Sequence, residues 1–232
     1  MRTEALATAL DRIALPDGIA FGVSGPTDPA SLWPEEASAV ARAVPGRRTE
    51  FAGGRAAARQ AMQRLGLPPA AVPSGTDRAP IWPAGLVGSL THAEGTCLAV
   101  LARSATCLSL GVDLERDQPL DPALHDEITR PEEVSASSRR DLRLRFSAKE
   151  AVYKALYPQT RVLFGFDGLS VDLQRGRAAL VRTPETAAIP DIWHAQTFDV
   201  AQWRVAGAIV SLVMLPHPRA GGRAQGMPAT MR

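Results

Sequence analysis

Lysine is nearly absent from this chain. Of 26 basic residues in 232, only Lys149 and Lys154 are lysine and the rest are arginine. Cysteine is almost as scarce. Cys97 and Cys107 have no metal-type spacing, and two thiols are no disulfide framework, so a reducing compartment is the default. Long apolar runs are missing too. The longest, Val205–Leu215, is interrupted by Gly207 and Ser211 and is far too short to span a bilayer. The first residues, Met1-Arg-Thr-Glu-Ala-Leu-Ala-Thr8, carry charge early and lack a signal core. A net charge of +2 demands no nucleic acid partner. These absences lead to the expectation of a cytoplasmic, soluble protein with neither membrane nor nucleic acid among its partners.

What is present is an ordinary globular composition, 45% apolar and 22% charged, long enough for one large domain or two small ones. A Pro-Glu-Glu start and an Ala-rich body predict a short helix over Leu32–Val44. A second helix is expected from about Arg47 to Leu65, with Phe51, Ala58, Met62 and Leu65 near one face and Gly66 as its C-cap. Residues Pro68–Pro83 read as loop; Leu86–Leu90, Cys97–Ala102 and Leu108–Glu115 read as strands. Helical pattern returns over Asp121–Thr129, after Pro131, and from Arg140 to about Leu156, ending before Pro158. Strands are expected at Leu169–Leu173, Ala178–Arg182, Trp193–Phe198 and Arg204–Leu215, then a disordered tail over 216–232. Both halves run helices before strands, which indicates an α+β fold in two lobes, 1–115 and 116–215, with no strict sequence repeat.

The chemistry gathers in four segments. Gly111-Val-Asp-Leu-Glu115 sets two carboxylates two apart on a strand, hence on one face, where they repel unless a partner such as Mg²⁺ removes the cost. Arg145-Phe-Ser-Ala-Lys-Glu-Ala-Val-Tyr-Lys154 holds both lysines, with Glu150 and Lys154 one helical turn apart. By itself that pair reads as an exposed ion pair, but the apolar and small neighbours Phe146, Ala151, Val152 and Ala155 argue for partial burial. Val87-Gly-Ser-Leu-Thr-His92 puts Ser89 on a strand and His92 at its turn. Arg47-Arg-Thr-Glu-Phe-Ala-Gly-Gly-Arg-Ala-Ala-Ala-Arg59 carries a basic stripe, readable as a solvated face or as a phosphate binder. In an arginine-rich chain, lysine is retained where a compact ammonium serves better than a planar guanidinium.

Taken in order and at these spacings, the four segments resemble the 4′-phosphopantetheinyl transferases, and within them the long, monomeric branch and its enterobactin synthase component D-like group. The resemblance runs over about Ala43–Asp172. It implies two similar α+β subdomains in a pseudo-twofold arrangement, with coenzyme A bound where they meet. It implies transfer of the phosphopantetheine arm to a serine of an acyl or peptidyl carrier protein, with release of adenosine 3′,5′-bisphosphate. By motif, Asp113, Glu115 and Glu150 would hold Mg²⁺, and Glu150 would also take the serine proton. Lys149 and Lys154 would meet the phosphates, and Arg47, Arg55, Ser89 and His92 the nucleotide end. Phe146 stands where many relatives carry tryptophan, and Ser74 where they often carry a lysine for coenzyme A, with Arg78 a possible replacement. The basic stretch Arg139–Arg145 is a candidate dock for an acidic carrier helix. Two rival classes stand beside this one: a non-catalytic coenzyme A or carrier-binding module, and a Mg²⁺-dependent nucleotide phosphohydrolase.

Overall fold

The computed structural model describes residues 3–136 and 139–217, side chains at 134–140 aside. The chain divides into two compact units between Leu110 and Gly111, earlier than the division expected after Glu115. The reason is strand β4 (Ser109–Arg116), which pairs into the second sheet.

The first unit holds α1 (Thr3–Leu10), β1 (Ile19–Ser24), α2 (Pro34–Ala37), α3 (Pro45–Arg64), β2 (Leu86–Ala93) and β3 (Thr96–Arg103). Its sheet has the antiparallel order β1-β3-β2. The β2–β3 hairpin turns on Glu94 and Gly95, both at positive φ, as a two-residue turn requires. Helix α3 packs on β1 and β3, and Ala57, Ala58, Ala61 and Met62 meet Val72, Cys97, Ala99 and Leu101 in one buried cluster. Small residues along that face let the helix lie close to the sheet. At Gly22 a β-carbon would fall 2.0 Å from the carbonyl oxygen of Ala57, so only glycine fits.

The second unit follows β4 with α4 (His125–Ile128), α5 (Arg139–Thr160), β5 (Leu169–Asp172), β6 (Arg177–Leu180), α6 (Asp191–His194), β7 (Thr197–Val205) and β8 (Ala208–Leu215). The sheet order is β4-β8-β7-β6-β5. Helix α5 packs on β8, and the two share the buried Ser147–Ser211 hydroxyl pair at 2.7 Å. Among the described residues no helix is long and apolar enough to cross a membrane.

The α+β class and the two sheets agree with the sequence; several boundaries do not. Leu32–Val44 is not one helix but α2 followed by a 3₁₀ turn at Ser38–Val40. Asp121–Thr129 likewise splits into a 3₁₀ turn, Pro122–Leu124, and α4, and Pro131 opens the 3₁₀ segment Pro131–Ala136. Helix α5 runs past Leu156 to Thr160 with Pro158 inside it. In the final turn proline forfeits a single intrahelical bond, a smaller loss than in mid-helix. Trp193 is not in a strand but in α6, which starts after Pro190. Arg204 and Val205 end β7, because Ala206 and Gly207 at positive φ make the hairpin turn there. Helix α1 and strand β1 lie in a stretch to which the sequence reading assigned no element. The expected tail lies outside the described residues from 218 onward.

Candidate active site

In the second unit, β4 carries Asp113 and Glu115, and α5 carries Lys149, Glu150 and Lys154. Gly111 governs how close these elements come. A β-carbon there would sit 1.9 Å from the carbonyl oxygen of Ala151 and 2.5 Å from the nitrogen of Ala155. With glycine, the strand lies directly against the helix backbone. Lys154 Nζ consequently reaches Asp113 Oδ1 at 2.6 Å and lies 3.7 Å from Glu150 Oε2. Asp113 is buried, and Lys154, Glu115 and Glu150 are partly covered.

Glu115 takes the guanidinium of Arg143, which also donates to the carbonyls of Gln118 (2.6 Å) and Pro119 (3.3 Å). Three carboxylates thus face two cations. Burial, then repulsion from Asp113, pushes the Glu115 carboxyl up, against the pull of Arg143 and Lys154. Burial also pushes Glu150 up, with Lys154 opposing and Asp113 reinforcing. Such a set is crowded with like charge and composed of hard oxygen donors. Among the described residues, no three His, Cys, Asp or Glu side chains are already gathered as a metal cage.

Beside Glu150 opens a pocket of about 250 Å³ lined by Lys149, Glu150, Tyr153, Phe164, Gly165, Phe166 and Leu169. Its walls are aromatic and mutually braced: Phe146 and Phe166 lie 5.3 Å apart between centroids, and Tyr153 meets Phe164 edge-on at 5.3 Å. Phe146, the departure from tryptophan noted above, packs against Phe166 of this wall.

Lys149 does not present its ammonium to solvent. It is 1% exposed, and its three donors go to Ile128 O (2.7 Å), Phe166 O (2.9 Å) and Glu133 Oε2 (2.9 Å). Burial lowers its pKa, and Glu133 opposes that shift. The direct phosphate contact expected from the motif therefore has no support in this geometry. Glu133 was missed by the sequence reading. It accepts from Arg130 N (2.7 Å), Val171 N (2.5 Å) and Lys149, and pairs with Arg145 at 3.1 Å. A signal for it existed, the Pro131-Glu-Glu133 start, whose third residue bonds back to the nitrogen of Arg130 in capping-box fashion.

The first-unit residues divide. Arg47 and His92 come together at 3.0 Å, are 52% and 47% exposed, and have Glu50 beside them. Ser89 is buried in β2. The basic stripe turns inward. Arg55 is buried over the Phe51 ring and donates to Val72 O (2.9 Å) and Ser74 Oγ (3.0 Å); burial lowers its pKa to about 10. Arg59 binds the buried Glu36 at 2.9 and 3.1 Å, and Arg48 donates to the carbonyls of Val40 and Ala41. Arg78 is exposed at a left-handed turn position, while Ser74 serves Arg55. For the supposed carrier dock, the side chains of Arg139 and Arg140 lie outside the described set. Arg143 is turned onto Glu115 rather than outward.

Comparison with known proteins matches residues 35–102 to the 4′-phosphopantetheinyl transferase N-terminal domain and residues 109–208 to the 4′-phosphopantetheinyl transferase superfamily. The chain is 41% identical to 4′-phosphopantetheinyl transferase Svp of Streptomyces mobaraensis over 85% of its own length and 72% of the relative's. It is 40% identical to PptT of Mycobacterium tuberculosis over 64% of this chain and 69% of that one. Enterobactin synthase component D of Salmonella typhi is 33% identical over 81% of this chain and 82% of that one.

Proposed function

Since the chain belongs to the 4′-phosphopantetheinyl transferase superfamily, we propose that it moves the phosphopantetheine arm of coenzyme A onto a serine of an apo acyl or peptidyl carrier protein. The observation that carries this reading is the Asp113–Lys154–Glu150 cluster opening on an aromatic pocket. A polyanion fits the charged end, and an uncharged, thiol-tipped arm fits the apolar end. In the reaction a bond forms between serine oxygen and the pantetheine-side phosphorus while the pyrophosphate bond breaks, releasing adenosine 3′,5′-bisphosphate.

Glu150 is the base in this scheme. Its raised proton affinity suits it to take the serine proton, directly or through one water. Lys154, a compact ammonium, neutralises charge on the departing phosphate. Asp113, Glu115 and Glu150 fit a hard divalent ion by donor chemistry and by their shared excess of negative charge. Mg²⁺ held there would neutralise phosphate charge and orient the pyrophosphate. In the first unit, the exposed Arg47 and His92 suit the nucleotide phosphates, whereas Arg55 and Ser89 are buried and act through the structure around them. Cytoplasmic residence and a monomeric state belong to the same reading; the two free, buried cysteines accord with a reducing compartment.

The test is the intact mass of several apo-carrier proteins after incubation with the enzyme, coenzyme A and Mg²⁺. A phosphopantetheine increment on at least one is expected. Its absence from all of them, with each carrier modified by another transferase, would sink the assignment.

A further inference from the structure

Two buried carboxylates, one in each unit, are built into the same device. Trp33-Pro-Glu-Glu-Ala-Ser-Ala39 and Arg130-Pro-Glu-Glu-Val-Ser-Ala136 share Pro-Glu-Glu-x-Ser-Ala, and each stretch precedes the long helix of its unit. Glu36 accepts from Trp33 N (3.0 Å) and Val72 N (2.8 Å), and Arg55 takes the carbonyl of Val72 at 2.9 Å. Glu133 accepts from Arg130 N and Val171 N, and Arg145 takes the carbonyl of Val171 at 2.8 Å. In each unit a carboxylate and an arginine thus grip both backbone groups of one buried valine.

The gluey part is common; the lysine is not. Aligning Ala57 with Ala151, which meet the glycines of β1 and β4 alike, sets Lys149 opposite Arg55 and Arg145 opposite Phe51. The second unit has moved the valine-gripping arginine one turn back. The vacated position holds an ammonium that reaches elsewhere, to Ile128 O and to Phe166 O in the pocket wall. We propose that Lys149 is a positioning residue: anchored on Glu133, it fastens the Phe164–Phe166 wall to α5 and sets the room offered to the pantetheine arm. An ammonium suits this task because its three donors spread to three acceptors, where a planar guanidinium would not. The proposal rests on the pocket being the seat of that arm.

The test uses the full chain with Mg²⁺ and an accepted carrier protein, and compares Lys149→Gln, Lys149→Arg, Glu133→Gln and Phe164→Ala. Lys149→Gln and Glu133→Gln should each raise KM for coenzyme A about tenfold, with kcat changed less, and should leave inhibition by adenosine 3′,5′-bisphosphate within about twofold, since that product lacks the arm. Lys149→Arg keeps the charge and should not restore KM. The isosteric Glu133→Gln keeps the question answerable if the lysine variants fail to fold. A lysine that touched phosphate directly would give normal KM in Glu133→Gln, or weakened adenosine 3′,5′-bisphosphate in Lys149→Gln; either result overturns the proposal. So does a lower Tm with unchanged KM, which would mark a purely structural role. Unchanged KM in Phe164→Ala would remove the pocket from the binding site, and the proposal with it. Transfer itself, observed in the wild type, stands apart from all these outcomes.

Discussion

The two units solve one packing problem in the same way and differ in charge at the points where chemistry would occur. In the first, Gly22 lets β1 lie against Ala57 and Ala61 of α3; in the second, Gly111 lets β4 lie against Ala151 and Ala155 of α5. Both sheets pair that strand with the second strand of a two-residue hairpin. Matching the glycines and the alanines sets Ser24 opposite Asp113, Ala56 opposite Glu150 and Gln60 opposite Lys154. Gln60 accepts from the backbone nitrogen of Val23 at 3.2 Å, a neutral tie between helix and strand. Lys154 ties the same two elements through a charge pair to Asp113. The framework therefore does not need the charges; burial penalises Glu115 and Glu150 for being ionised. Charge kept where burial penalises it fits the reading proposed above, in which the second unit carries the chemistry.

The sharpest way to break this comparison is to give the second unit the residues of the first. The triple substitution Asp113→Ser, Glu150→Ala and Lys154→Gln should lower kcat/KM for coenzyme A by about 10⁴-fold or more, through lost electrostatic stabilisation and proton acceptance. Its Tm should stay near that of the wild type or rise. A folded variant that keeps transfer activity, or one that unfolds, would refute the division of labour. Lys154→Arg, the charge-preserving change, is next, with a loss of about 10²-fold in kcat expected because a planar fork does not fit between Asp113 and Glu150. Near-normal turnover would make the rarity of lysine in this chain a coincidence.

Much of this was legible beforehand for a physical reason. Asp113 and Glu115 follow from the period of a strand, and Glu150 and Lys154 from the turn of a helix, so local geometry alone brings each pair to one face. What escaped was set by tertiary contacts. Lys149 and Lys154 look equivalent in sequence, yet one is enclosed by Ile128, Glu133 and Phe166 and the other borders the carboxylates. The arginine stripe suggested phosphate binding because nothing local reveals Glu36, Val72 and Ser74 waiting for Arg59 and Arg55. The repeated Pro-Glu-Glu-x-Ser-Ala segment was open to view in the sequence, but its meaning lies in the buried valine that each glutamate grips.

Two paired glycine substitutions sharpen the comparison at smaller amplitude. Gly22→Ala and Gly111→Ala each force a β-carbon into a helix carbonyl and should each cost about 1–3 kcal/mol, lowering Tm by several degrees. Only Gly111→Ala should also lower kcat per folded molecule, because it pushes Asp113 away from Lys154. Equal activity losses from both would mean that the strand–helix distance in the second unit has no special bearing on the site.

A pH series reads the same charges. The raised Glu115 and Glu150 bind protons more tightly in the folded chain than in the unfolded one. Their contribution to stability is complete below the ordinary glutamate value of 4.5 and is lost as pH rises through the raised values. In EDTA, urea midpoints of the wild type should therefore fall relative to the triple variant, which lacks Glu150 but keeps Glu115, as pH climbs from there toward neutrality. Parallel curves would show that burial does not tax Glu150.

The smallest effect concerns the thiols, one inside β3 and the other just ahead of β4, which take no part in the charged cluster. Burial pushes both Cys97 and Cys107 up to about 11, and Cys97 also donates to the carbonyl of Glu50 at 3.3 Å. At pH 8 both should be silent toward a thiol reagent in the folded protein and react together only on unfolding. Both thiols lie in the first unit, but Cys97 contacts α3 whereas Cys107 stands two residues before β4, the strand that joins the second sheet, so the two rates report on different regions. Mg²⁺ and coenzyme A, if they act chiefly on the second unit's charges, should slow the Cys107 reaction in mild denaturant more than that of Cys97. Equal protection of both would mean that ligand stabilises the segment leading into β4 no more than it stabilises the sheet of the first unit.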